Sequence, residues 1–337
     1  MCHSSLILFS KRHTHSLVDG KGGSAVPNNN LNPFWITGLC ESSWHFFIKP
    51  FIRNASGYAV WQINYCFEIV LPVAEQSILY RIKDFFGVGL IYIKNRQCIY
   101  RINRLTDLLN VIIPHFTNYP LLTRKILILK VWTIALSLVE QKRHLTDSGL
   151  IEILEIYAAM VNKKITKTVS LNFPNLMPVS LPSYSLDISE LNGWWVSGYL
   201  TINCSFWICV LPKWWDNKLF ECLRHSFSVS RNIEHIEIIS ALCDYLQGNL
   251  IRRSNEERVD LNINSIHAAL NLISFFERYP LESTKHAKFL IFKQFVELAS
   301  TLHLFPGYRK SKLLGEIQPF LDLEEKFLKI KEKESNQ

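Results

Sequence analysis

Two lysines recur in one local setting. Lys125 ends HFTNYPLLTRK and Lys285 ends FFERYPLESTK, 160 residues apart. An ammonium at the same place in two related segments suits phosphate neutralisation. Other cations that could hold a nucleic-acid backbone are Lys49, Arg53, Lys94, Arg96, Arg101, Arg104, Arg252, Arg253 and Arg258. The net charge of +8 and pI near 9.0 fit such a partner without requiring one. His115 reads as a helix-end residue and His144 as a cap or surface residue rather than as catalysts. The eight cysteines form no CxxC pair, so no structural zinc site is expected.

Those side chains need a scaffold, and the chain is built for one. Hydrophobic residues make up 48% and charged residues 20%, enough for a buried core and unlike a disordered chain. Most cysteines sit in apolar runs, as small hydrophobes in a reducing compartment. The most apolar helical run, Ile126 to Val139, contains Lys130 and is shorter than the roughly 20 residues a bilayer needs. No membrane partner is expected. The N-terminus has no long apolar core and does not read as a secretory signal.

The spacing of the lysines belongs to a larger duplication. LNPFWITGL from Leu31 returns as LNGWWVSGY from Leu191, with Gly38 and Gly198 again 160 residues apart. Phe116, Tyr119, Pro120 and Leu121 match Phe276, Tyr279, Pro280 and Leu281 in the same register. A period this long excludes a solenoid and implies two similar halves about a pseudo-two-fold axis. The divisions read as a flexible lead-in (1–30), repeat one (31–168), a proline- and serine-rich linker (169–190), repeat two (191–302) and a charged tail (303–337).

Repeat one has a legible order. Pro33 starts a short helix to Ser43. Phe46 to Ile52 and Tyr58 to Val70 read as strands around a turn at Asn54 to Gly57. Pro50 argues against a central place for the first of them. Glu75 to Phe86 has helical spacing and stops at Gly87. Leu90 to Ile93 and Cys98 to Ile102 form a hairpin around Lys94-Asn95-Arg96. Helices follow from Thr106 to His115, Leu122 to Val139 and Leu150 to Val161. The order α-β-β-α-β-β-α-α makes the fold class α+β, and repeat two follows it.

These segments together resemble the LAGLIDADG homing endonucleases and their intron-maturase relatives. The resemblance rests on PFWITGL, FFGVG, PHFTNYPLLTRK and KRHLTDSGL in repeat one, and on WWVSGY and RYPLESTKHAKFLIFKQ in repeat two. It covers nearly the whole chain after Asn30. It implies that the first helices of the two repeats pack together, with Gly38, Gly198, Trp35 and Trp195 at the repeat interface. It implies two antiparallel sheets forming a saddle on a nucleic acid, read by outward side chains. It places Lys125 and Lys285 near the scissile phosphate.

In active relatives each first helix ends in a carboxylate that binds Mg2+, five residues after the glycine. Here those positions hold Ser43 and Asn203. A hydroxyl and an amide give a hard cation no anionic ligand. Glu41 lies two residues before Ser43, about 200° around a helix, on the far side. No acid occurs from Trp194 to Cys209. Metal ligands are therefore expected to be none, and cofactors none, with Mg2+ only if cleavage survives.

The sequence thus predicts an intron-encoded, nucleic-acid-binding monomer with an internal pseudo-two-fold. It has impaired cleavage and a maturase-like role on group I intron RNA. The alternative is an active endonuclease cutting double-stranded DNA with Mg2+, and the third reading is a decayed or scaffold protein. Usage rich in Ile, Leu, Phe, Asn and Lys suggests an organellar gene, mitochondrial before chloroplast.

Overall fold

The computed structural model describes residues 31–55, 58–162, 164–215 and 218–304. The lead-in, turn residues 56 and 57, and the tail beyond residue 304 lie outside the described residues.

Pro33 begins α1 (Pro33–Ser43), and the Asn32 side chain accepts from Phe34 N at 2.9 Å. β1 (Trp44–Ala55) follows without a break and pairs antiparallel with β2 (Tyr58–Pro72). α2 (Gln76–Phe86) ends at Gly87, whose φ of 68° is the left-handed cap that glycine adopts without strain. β3 (Leu90–Lys94) and β4 (Gln97–Ile102) make a hairpin whose turn, Asn95 and Arg96, has φ of 49° and 61°. Positive φ at both turn residues matches the twist of the flanking strands. The sheet order β1-β2-β4-β3 leaves β1 at an edge, where Pro50 removes no needed donor.

The helix predicted from Thr106 to His115 is a broken rod. It comprises α3 (Leu105–Asp107), a π-helical turn Leu108–Ile112 and α4 (Ile113–Asn118). Pro114 has no N–H to continue the α-helical ladder, and the wider turn before it absorbs that loss. α5 (Lys125–Glu140) starts at Lys125 rather than at Leu122. α6 (Asp147–Met160) starts before Leu150, with the Thr146 side chain accepting from Gly149 N at 3.2 Å. α7 (Lys167–Asn172) straddles the boundary read at residue 168.

The connection to repeat two is docked, not loose. Val169 is buried, Phe173 packs on Trp61 at 5.4 Å between ring centres, and the Tyr184 hydroxyl donates to Leu122 O. Repeat two then gives α8 (Gly193–Asn203), β5 (Cys204–Trp215), β6 (Lys218–Asn232), α9 (Ile236–Leu246), β7 (Asn249–Arg253), β8 (Arg258–Ile263), α10 (Ile266–Arg278) and α11 (Lys285–Leu304). Its sheet order is β5-β6-β8-β7, the same as in repeat one. The molecule is α+β, with helices covering one face of each antiparallel sheet. Phe46, Ile48, Phe67, Ile69, Tyr100 and Ile102 point to the helices in repeat one. Phe206, Ile208, Phe227, Val229, Leu261 and Ile263 do so in repeat two.

His115 belongs to this core rather than to an exposed helix end. It is 7% exposed, and its Nε2 lies 3.2 Å from Thr37 Oγ1. The Thr37 hydroxyl donates to Tyr119 O at 3.1 Å, so the ring nitrogen is the donor in that pair. Burial lowers the His115 pKa from 6.5 to about 4. The folded protein therefore resists a proton that the unfolded chain accepts. Stability should be full above pH 6.5 and fall as pH drops toward 4, by up to about 3 kcal/mol from this group. Urea melts across that window should show a shallower slope for His115→Gln than for the parent protein.

Candidate nucleic-acid interface

The two motif glycines sit where α1 crosses α8. A Cβ on Gly38 would lie 2.8 Å from Trp195 C and 2.9 Å from Tyr199 N. A Cβ on Gly198 would lie 2.8 Å from Trp35 C and 2.9 Å from Leu39 N. The helices touch backbone to backbone, a contact only glycine allows. Trp35 and Trp195 are 1% and 0% exposed and flank that crossing. Trp194 is half-buried and meets Tyr279 edge-on at 5.4 Å.

Ser43 and Asn203 are the last residues of these helices. Ser43 Oγ lies 3.1 Å from Ser42 Oγ, and Asn203 Nδ2 donates to Tyr199 O at 2.9 Å. Neither brings a negative charge. The one acid in α1, Glu41, is 3% exposed and engaged elsewhere. Its carboxylate accepts from Leu122 N at 2.5 Å, Thr123 N at 3.0 Å and Thr123 Oγ1 at 2.5 Å. Burial pushes its pKa up, opposed by the Lys125 ammonium and these donors. Among the described residues, no group of three or more His, Cys, Asp or Glu side chains could hold a metal ion. A hydroxyl and an amide at the helix ends are a neutral donor set, which does not fit a divalent cation that wants anionic oxygen.

A lysine approaches the backbone at each of these helix ends. Lys125 Nζ donates to Glu41 O at 2.8 Å. Lys285 Nζ donates to Ile202 O and, at 2.6 Å, to Cys204 O. Each lysine thus sits at the carbonyl end of a motif helix, where the helix dipole favours positive charge. Burial lowers the Lys125 pKa, opposed by Glu41 and Cys40 and assisted by Arg231. Arg231, which sequence reading passed over, stacks on the Tyr199 ring at 5.4 Å. Its signal was faint, one arginine between a serine and an asparagine at the end of a strand.

The strand register sorts the remaining cations. Lys49, Arg53, Lys94 and Arg101 share the sheet face of repeat one that points away from the helices. Arg253 and Arg258 share the corresponding face of repeat two. Arg252 does not; it pairs with Val259 and so takes the helix side. Arg96 lies in the β3–β4 turn, and Arg104 precedes α3. Several of these charges are already matched. Arg101 bonds Glu68, Arg253 bonds Asp260 at 2.5 Å, and Arg258 lies 3.3 Å from Glu256. Arg224 is exposed on the outward face and was missed, although period-two alternation from Phe227 would have placed it there.

Residues 36–136 and 197–296 each match the profile of the LAGLIDADG endonuclease family. A Neurospora crassa protein named "Probable intron-encoded endonuclease 2" is 28% identical over 279 residues, covering 78% of this chain and 59% of its own length. A cox1 intron-2 protein of Schizosaccharomyces pombe is 30% identical over 126 residues, covering 37% of each chain. The chain thus spans less than two thirds of the length of these curated relatives. The structure of I-SmaMI, a LAGLIDADG homing endonuclease bound to cleaved DNA, superposes with a TM-score of 0.75 at 23% identity. That match covers 86% of this chain and 96% of I-SmaMI, and it is a likeness of fold. With both copies of the profile on the two halves that meet at Gly38 and Gly198, the chain belongs to the LAGLIDADG endonuclease family.

Proposed function

We propose that this protein binds nucleic acid through its two outward sheet faces without cutting it. The reading extends to an intron-encoded, maturase-like role in folding group I intron RNA in the mitochondrion. The observation that carries it is the pair of uncharged residues, Ser43 and Asn203, at the ends of helices whose other termini and crossing are intact. The fold likeness to an endonuclease bound to DNA supports a nucleic-acid partner. The cox1 intron relative supports an intron origin in a respiratory-chain gene.

The test uses purified protein with duplex DNA spanning the intronless insertion site, with Mg2+, and in parallel with the intron RNA. Binding of the RNA with accelerated splicing and no strand scission is the outcome that fits. Specific double-strand cleavage sinks the proposal. The partner's phosphates should also read out in salt. Lys49→Ala should shallow the slope of log affinity against log salt by about 0.7–0.9, whereas Arg252→Ala, on the helix side, should leave it unchanged.

A further inference from the structure

The outward face of repeat one is not flat. A pocket of about 260 Å3 opens on it, lined by Phe47, Asn64, Cys66, Arg101 and Asn103 among others. Pockets for drug-sized ligands span about 300–1,000 Å3, so this smaller space suits a single ring system. Phe47 offers an aromatic wall, and its backbone is held by Trp132 Nε1, which donates to Phe47 O at 3.3 Å. Arg101 is fixed by its bond to Glu68 and lies 5.0 Å over the Tyr92 ring. Asn64 and Asn103 are exposed, and among the described residues neither side chain has a hydrogen-bond partner. Each amide can both donate and accept, the capacity that reads a base edge.

The second repeat places an aromatic at the equivalent position. Trp207 lies 160 residues after Phe47, on the same strand position relative to the helix end, and is 47% exposed. Ser226 pairs across from it and donates to Asn262 Oδ1 at 2.8 Å. One outward aromatic four residues beyond each motif helix, beside amides and hydroxyls, adds a stacking surface to the cations of that face.

We infer that the Phe47 pocket takes one unpaired nucleobase, stacked on Phe47 and hydrogen-bonded by Asn64 and Asn103. The inference rests on the nucleic-acid reading above and narrows it. A bound strand would present a looped-out base here, as structured RNA does and as a duplex does only after unstacking. Arg101 would meet the flanking backbone.

The experiment uses the full chain and four probes: an RNA hairpin with one bulged 2-aminopurine, its fully paired counterpart, and the same two in DNA. The bulged probe should bind about 10-fold tighter than the paired one, with quenched fluorescence, and stacking energies of this kind support such a ratio. Preference in RNA alone assigns the base to folded RNA, and preference in both assigns it to any unstacked strand. Phe47→Leu should abolish the preference while paired-probe affinity changes less than twofold. Asn64→Asp, an exposed change that leaves the core intact, should cut the preference independently. Equal binding of bulged and paired probes overturns the pocket, as does a preference that survives both substitutions. Absence of binding to all four probes overturns the nucleic-acid reading itself, and the pocket with it.

Discussion

Gly198→Ala should destabilise the protein by about 3 kcal/mol or more, and Gly38→Ala by a similar amount. The new methyl group would press on the Trp35 carbonyl or the Trp195 carbonyl, main-chain atoms that no rotamer change can move. The helices must then separate along their crossing, which unpacks Trp35 and Trp195 together. Overpacking of a core by one methylene costs about 1–3 kcal/mol when side chains can yield, and a backbone clash leaves less room to yield. Gly87→Ala is the control. Its added Cβ meets nothing within 4 Å, and only the φ of 68° opposes it. That change should cost about 1 kcal/mol. Urea melts of the three variants measure the difference, and equal losses would show that the crossing is looser than its contacts.

Glu41→Ala should be the most damaging change to a polar residue, at about 3–5 kcal/mol. It strips the partner from two backbone N–H groups and one hydroxyl at the start of α5. It also leaves the Lys125 ammonium, hydrogen-bonded to the Glu41 carbonyl, without its opposing charge. An uncompensated buried charge is the main part of that loss. Adding Lys125→Met to Glu41→Ala should restore part of the stability, because the buried cation that Glu41 opposed goes with it. A double-mutant cycle by chemical denaturation reads the coupling. Strict additivity would mean that the two side chains do not act as a pair.

The local signals were legible because they are carried by residues that decide backbone geometry on the spot. Gly87 ends α2, Pro33 opens α1, and Asn95-Arg96 turns the β3–β4 hairpin. The duplication placed Gly38 and Gly198 in equivalent positions before any contact was known. What the sequence concealed depends on partners far along the chain. Glu41 finds Leu122 and Thr123 more than 80 residues later, and Glu75 of repeat one caps Thr284 of repeat two. The matched charges of Arg101, Arg253 and Arg258 depend on strand register, which a list of basic residues does not contain. The π-helical turn before Pro114 reflects how a helix spends a missing donor, and composition alone does not say where the ladder will widen.

The glycine crossing has a mechanical consequence. Because main chain meets main chain at Gly38 and Gly198, no side chain lies between α1 and α8 at that point to be compressed. Each helix runs directly into the edge strand of its own sheet, α1 into β1 and α8 into β5. The spacing of the two outward sheet faces should therefore be stiff, and a ligand should not pull them to fit. On the proposed reading, a bound nucleic acid would have to do the bending. Affinity should then follow the flexibility of the steps that lie over the crossing, with easily unstacked steps bound more tightly than rigid ones even where no side chain touches a base.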